Sequence, residues 1–295
     1  VDAKLGAAVG AALGGRVAAA RSLAGGDINQ AYEVQLDDGR RVFVKSNQRS
    51  PRGMFAAEAR GLAWLAEAGA LRVPRVLAAS EPDGGAQFLA LELVGSAAPA
   101  GDFAERLGRG LAALHRHGAP RFGLDHDNFV GRLPQDNRAA SSTSSTPATW
   151  PEFYRTRRLE AQLRRAVDGG LASSRLRAGF DRLFAALPDL VGPDEPPSRL
   201  HGDLWGGNLL VDEAGAPCLI DPAVYGGHRE IDLAMMRLFG GFGARVFDAY
   251  DEAWPLAPGH EERVGLYQLY PLMVHVNLFG GGYVQSVESA LDRLA

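Results

Sequence analysis

An aspartate five residues ahead of an asparagine, with a second aspartate eighteen residues past the first, can support phosphoryl transfer. The stretch His201-Gly202-Asp203-Leu204-Trp205-Gly206-Gly207-Asn208, followed by Ile220-Asp221-Pro222, has that spacing. Asp203 would accept the proton of an attacking hydroxyl, while Asn208 and Asp221 are hard oxygen donors suited to Mg²⁺. A polar, glycine-rich segment makes a poor structural motif, so chemistry is the stronger reading for Asp203. For His201 and Asp232 the structural reading is the stronger one: His201 would orient the loop by hydrogen bonds and Asp232 would hold backbone N–H groups.

Such a loop needs a partner that grips a nucleotide. Val42-Phe43-Val44-Lys45 ends an apolar strand in a lysine, and a helix over 54–69 follows with Glu58, Leu62 and Leu65 on one face. A carboxylate on the inward face is costly unless paired, and Lys45 is the evident partner. In protein kinase-like folds a lysine held in this way positions nucleotide phosphates. Upstream, Gly25-Gly26-Asp27-Ile28-Asn29 lies between two strands, where glycine lets backbone N–H groups approach phosphates closely. A glycine pair alone is more often a plain turn. The backbone of Glu92, Leu93 and Val94, ahead of the small-residue run 95–101, is where an adenine would hydrogen-bond.

Positioning these residues takes a small β-rich half and a larger helical half. Period-2 patterning and turn signals place strands over 16–24, 30–36, 41–46, 74–80 and 86–94, with a helix over 2–13 before them. The small-residue run then serves as a hinge, which divides the chain into 1–95 and 96–295. Helices are expected over 102–117, 150–167, 174–187, 231–239, 244–254, 260–279 and 283–294, the fourth-last of them preceded by strands 209–211 and 218–220. This hairpin would present Asp203 and Asn208 from one side and Asp221 from the other, toward one cleft. Residues 119–149 read as irregular, ending in a serine- and threonine-rich run. His115 and His117, two residues apart, read as surface polar groups. The arginines of 150–167 read mostly as solvated charge, Arg229 with Glu230 as a surface pair, and Leu266, Tyr270, Met273 and Phe279 as core.

Composition narrows the classes. The 295 residues carry a formal charge of −4, which gives no electrostatic case for nucleic acid or an anionic membrane. No apolar run reaches membrane-spanning length, and the N-terminus lacks a signal-peptide pattern. A single cysteine, Cys218 in a short apolar run, excludes an intramolecular disulfide and fits a reducing, cytoplasmic setting.

On these stretches the chain resembles the fructosamine kinase (ketosamine kinase) family, within the aminoglycoside phosphotransferase and choline kinase-like group. The matching stretches are Gly26-Asp27-Ile28-Asn29 with Val42–Ser46, Met54-Phe-Ala-Ala-Glu58, the 201–208 loop, and Asp221-Pro-Ala-Val-Tyr225-Gly-Gly-His228-Arg-Glu-Ile-Asp232-Leu-Ala-Met235 running on to Leu238-Phe-Gly-Gly-Phe242. Trp205 and the block after Asp221 carry the more specific part. The resemblance implies an α+β, bilobal protein kinase-like fold whose small lobe holds a five-stranded antiparallel sheet. It implies ATP and Mg²⁺ as cofactors, and phosphorylation of the sugar 3-hydroxyl of ketosamines, free or on glycated proteins, as a deglycation repair activity. Trp205 would offer a flat face to the sugar, and Tyr225 and His228 would join the substrate pocket. Many relatives carry a cysteine in the glycine-rich loop, used in some for disulfide-linked dimers. Asp27 takes that position here, which points to a monomer. The competing readings are another small-molecule kinase of this fold, a metal-dependent hydrolase built on His201, Asp203, Asp221 and His228, and an inactive nucleotide-binding protein.

Overall fold

A computed structural model describes residues 1–23, 29–83, 85–138 and 149–294. The expectations for Gly26, Asp27, Ile28 and the segment 139–148 lie outside the described residues. In chain order the elements are α1 (Ala3–Leu13), β1 (Val17–Leu23), β2 (Gln30–Leu36), β3 (Arg41–Ser46), α2 (Met54–Ala66), β4 (Val76–Ala79) and β5 (Phe88–Glu92). There follow α3 (Phe103–His117), β6 (Asn128–Val130), β7 (Leu133–Gln135), α4 (Trp150–Phe153), α5 (Glu160–Asp168), α6 (Ser174–Leu190) and β8 (Ser198–Leu200). The chain finishes with β9 (Leu209–Val211), β10 (Pro217–Leu219), β11 (Tyr225–Gly227), α7 (Glu230–Phe239), α8 (Ala244–Ala253), α9 (His260–Phe279) and α10 (Gly282–Leu294). It groups into two compact units, Val1–Phe103 with Leu209–Pro222, and Ala104–Asn208 with Ala223–Ala295.

This grouping differs from the division at 95/96. Residues up to Phe103 and the β9–β10 hairpin go with the first unit, and the hairpin's attachment has a clear cause. Arg72 Nη1 donates to both Asp212 and Glu213 at 2.8 Å, and the Leu219 N–H donates to the Arg72 carbonyl at 2.9 Å. The same unit carries an antiparallel sheet in the order β1-β2-β3-β5-β4. Alternation along β2 and β3 sends Val34, Leu36, Val42 and Val44 to one face, where Leu5 and Val9 of α1 cover them. Lys45, one residue on from Val44, is therefore turned to the opposite face, and its pairing with Leu89 of β5 sets its level.

The second unit buries an aromatic-rich core that includes Trp150, Phe153, Tyr154, Phe180, Tyr225, Tyr267 and Tyr270. Several expectations are corrected here. Part of 119–149 is ordered as the β6–β7 hairpin, whose three-residue strands are too short to show period 2. The helical run from Trp150 contains a π-helical stretch, Tyr154–Leu159, and Arg158 within it is fully buried. Helix α6 runs past Pro188 to Leu190. Phe279 is 55 % exposed instead of core. Arg229 and Glu230 do not pair with each other: Arg229 makes two 2.8 Å contacts to Glu195, and Glu230 takes Arg263 at 2.6 and 2.9 Å. Adjacent helical residues diverge in direction, so each found a partner more than thirty residues away.

No helix among the described residues is long and apolar enough to cross a membrane. Cys218 is buried, and burial pushes its thiol up to about 12.

Candidate active site

In the first unit, Lys45 Nζ donates to Glu58 Oε1 at 2.7 Å and to Asp221 Oδ1 at 3.0 Å. Glu58 gets there because α2 turns it onto the face shared with Leu62 and Leu65. Burial by itself would lower the Lys45 ammonium, but the two carboxylates outweigh it and hold the amine well above its ordinary value. Burial raises the Glu58 carboxyl, with Lys45 opposing and Asp221 adding to the rise. Asp221 has a φ of 54°, the one positive value at a described non-glycine residue, a left-handed conformation that aspartate tolerates better than most. Its side chain is 44 % exposed.

Asn29, beside the glycine-rich segment, is half-buried, and its Oδ1 is buried with no hydrogen-bond partner among the described residues. Glu92 ends β5 and meets Arg72 at 3.4 Å and Arg75 at 3.9 Å, and Leu93 and Val94 follow it half-buried.

In the second unit, the 201–208 loop is built on buried hydrogen bonds. Asp232, fully buried, accepts from the His201 N–H at 2.7 Å, the Gly202 N–H at 2.8 Å and His115 Nε2 at 3.1 Å. Burial would raise this carboxyl, but His115, His201 and the Gly202 N–H together hold it below the usual aspartate range. His115, expected at the surface, is thus a buried support, also bonded to the Tyr250 hydroxyl at 2.9 Å through Nδ1. His201 is fully buried, and its Nδ1 accepts the Asp203 N–H at 3.3 Å. Asn208 Nδ2 donates to the Asp203 carbonyl at 2.8 Å and to its Oδ2 at 3.3 Å, which ties together the two ends of the motif.

The glycines have distinct jobs here. A Cβ on Gly207 would sit 2.2 Å from the Trp205 ring, so the missing side chain lets the indole fold over the turn. Gly202 has a φ of +82°, and a Cβ there would lie 2.1 Å from the Ala223 carbonyl oxygen. Gly202→Ala should therefore cost about 2 kcal/mol or more of stability and distort the loop. Urea unfolding and turnover, measured together, check this, and an unchanged midpoint with full activity would contradict it.

Asp203 and Gly202 open onto a recess lined by Val130, Ile231, Met235, Tyr270 and His275. Trp205 is 40 % exposed and edge-on to Phe239 at 6.5 Å. Phe239 in turn lies 4.6 Å from His275. Because a carbonyl only accepts, the 2.8 Å contact from His275 Nδ1 to the Pro271 oxygen places a proton on Nδ1. Tyr270 and His275 were missed as recess residues. Helical spacing on α9 groups Pro271, Val274 and His275, a pattern that reads equally well as core.

Tyr225 and His228 are not at the recess. Tyr225 is fully buried with the Arg158 guanidinium 3.8 Å from its ring, and His228 stacks on Tyr267 at 5.3 Å. Burial pushes His228 down to about 4, with Glu195 opposing and Arg229 and Arg263 adding to the fall. Its neutral form thus belongs to the folded state, whereas the unfolded chain binds a proton near the ordinary value of 6.5. Stability from this group is complete above pH 6.5 and is lost as pH falls toward 4, by up to ~3 kcal/mol. Urea midpoints from pH 7 to pH 4 should fall more steeply for the native protein than for His228→Gln, and equal slopes would contradict the assignment.

The donor chemistry fits Mg²⁺. Asp221 and Asn208 offer only oxygen suited to a hard cation, and among the described residues no cluster of three or more His, Cys, Asp or Glu could hold a metal alone. Mg²⁺ in nucleotide enzymes is held by one or two such side chains, with phosphate and water completing its shell.

Residues 7–295 match the family model described as fructosamine kinase. The chain is 39 % identical over 284 residues to a protein described as a ketoamine kinase from Synechocystis sp., covering 94 % of this chain and 90 % of that one. It is 37 % identical over 273 residues to the chloroplastic protein-ribulosamine 3-kinase of Arabidopsis thaliana, covering 92 % and 81 %. A solved structure described as a fructosamine-3-kinase from Thermobifida fusca aligns with a TM-score of 0.86 at 40 % identity, covering 98 % of this chain and 97 % of that one. The shared architecture is the protein kinase-like fold of small-molecule phosphotransferases.

Proposed function

Because the chain belongs to the fructosamine kinase family, we propose that it transfers the γ-phosphoryl group of ATP to the 3-hydroxyl of a ketosamine sugar. The acceptor is the adduct of glucose or ribose with an amine, free or on a glycated protein. As an enzyme it is a phosphotransferase with a sugar hydroxyl as acceptor.

Asp203 takes the proton of that hydroxyl as its oxygen attacks the γ-phosphorus and the bond to the bridging oxygen breaks, releasing ADP. The hydrogen bond that Asn208 donates to Asp203 supports a fixed orientation of the base. Lys45, held by Glu58, binds the α- and β-phosphates, with the backbone of Gly26, Asp27, Ile28 and Asn29 over the rest. The strand end Glu92, Leu93 and Val94 receives the adenine. Asp221 and Asn208 would hold Mg²⁺, which would supply positive charge against the phosphates. Trp205 offers its exposed face to the sugar ring, while Tyr225 and His228 act from the core as supports. One buried cysteine with a raised pKa supports a monomer in a reducing, cytoplasmic compartment over a disulfide-linked dimer.

The observation that carries this reading is Asp203, tied to Asn208 and open to a recess on a chain matched along nearly its whole length by the family. The test is a panel assay with Mg-ATP and fructosyl-lysine, ribulosyl-lysine, kanamycin or choline. ADP release stimulated by the two ketosamines alone is the expected outcome. Stimulation by kanamycin or choline instead would replace the acceptor assignment.

A further inference from the structure

Arg158 lies in the π-helical stretch between α4 and α5, a widened turn of a kind often found at functional positions. It is fully buried, yet has no ion pair among the described residues. Its hydrogen bonds all go to neutral acceptors: the Asp136 carbonyl at 2.8 Å, the Arg157 carbonyl at 3.1 Å and Asn137 Oδ1 at 2.7 Å. Around it stand the rings of Tyr225 at 3.8 Å, Phe153 at 4.6 Å and Tyr270 at 5.5 Å. A buried cation without a carboxylate costs stability that an apolar side chain would not. The carbonyls and rings around it offset that cost, which an apolar side chain of similar length would not incur at all.

The bonds leading away from it run to the recess. Asn137 Nδ2 donates to Asn128 Oδ1 at 2.8 Å, and so does Gln135 Nε2, also at 2.8 Å. Gln135 Oε1 accepts the Tyr270 hydroxyl at 2.6 Å, and Tyr270 lines the recess beside Asp203. The same side chains fix the backbone that carries the loop. Gln135 donates to the Ala223 carbonyl at 3.0 Å and Asn128 to the Val224 carbonyl at 2.8 Å, while the Ala223 N–H donates to the His201 carbonyl at 2.9 Å. Burial pushes the Tyr270 phenol up, with Arg158 pulling it down and Asp203 pushing it further up, so both charges act on this one hydroxyl.

We propose that Arg158 is a positioning residue for the acceptor: through Asn137, Asn128 and Gln135 it fixes Tyr270 as the wall against which the sugar hydroxyl meets Asp203. Two runs of donors meet on Asn128 Oδ1, one from Arg158 through Asn137 and one from Tyr270 through Gln135, so loss of the arginine's bond loosens the amide against which Gln135 and Tyr270 are held. The inference rests on the reading of Asp203 as the base.

The test compares the native protein, Arg158→Lys, Arg158→Met, Tyr270→Phe and a double variant that combines Arg158→Lys with Tyr270→Phe, with ATP and acceptor varied separately. Acceptor-independent ATP hydrolysis and thermal midpoints are measured alongside. Tyr270→Phe removes one oxygen and keeps the ring, so it reports even if the arginine variants fold poorly. Acceptor kcat/KM should fall roughly 10- to 100-fold, as displacement by about an ångström does. KM for ATP should stay within about twofold. The double variant should lose no more than the worse single one, because both act on one chain. Unchanged acceptor kinetics in folded Tyr270→Phe, or a parallel fall of every parameter with the thermal midpoint, would overturn the proposal. Two controls separate this from the reading beneath it. An active Asp203→Asn would remove the base assignment. A native protein that prefers kanamycin or choline would change the acceptor on which the same comparison is made.

Discussion

Asp203→Asn is expected to leave ATP bound and the fold intact while lowering turnover by ~10³- to 10⁴-fold. The substitution keeps shape and removes only the capacity to take a proton. The stronger bond from Asn208 goes to the Asp203 backbone carbonyl at 2.8 Å and survives the change. The loop itself is held from behind by Asp232, whose bonds to the His201 and Gly202 N–H groups do not involve the Asp203 side chain. An unchanged thermal midpoint, an unchanged nucleotide affinity and a collapsed kcat are therefore one combined expectation. Near-native turnover in the purified variant would contradict the base assignment.

Asp221→Ala is expected to weaken Mg-dependent ATP binding by more than about 100-fold, the least that loss of a direct metal ligand should cost. Two side effects follow from the geometry. Alanine at a φ of 54° costs about 1–2 kcal/mol, which Asp221→Asn would largely avoid. Lys45 would also keep only Glu58 at 2.7 Å, turning a lysine shared by two carboxylates into a simple pair. Calorimetric titration with Mg-ATP, and with ATP in the presence of a chelator, separates these. The Mg-dependent gain in affinity should vanish in Asp221→Ala and shrink in Asp221→Asn, which keeps an oxygen donor but loses its charge. Affinity equal to the native value would refute the metal assignment.

The sheet was legible because β1 to β5 are long enough for period 2 and are separated by turn residues. The Lys45–Glu58 pair was legible for a related reason: a carboxylate on the apolar face of α2 needs a cation, and one stood at the end of β3. What escaped notice were groups satisfied from far along the chain. His115 is stabilised by Asp232 and Tyr250, 117 and 135 residues away. Arg158 looked like one more charge on an arginine-rich helix, and only a π-helical stretch with a ring of aromatics accounts for its burial. The β6–β7 hairpin has three-residue strands and is held by the amides of Asn128 and Gln135 rather than by a patterned face. Trp205 stands out as an unusual residue in a glycine-rich loop and is exposed as such a role requires. Tyr225 and His228 stood in the same distinctive block, but apolar neighbours drew them into the core.

The most direct test of the account is to identify the atom that receives phosphate. The native protein is incubated with Mg-ATP and fructosyl-lysine, and the product is examined by ³¹P and ¹³C NMR. A new phosphate ester coupled to C3 of the sugar, formed by the native protein and absent with Asp203→Asn, is the predicted result. Phosphate on another hydroxyl, or ATP consumed only by hydrolysis, would contradict it.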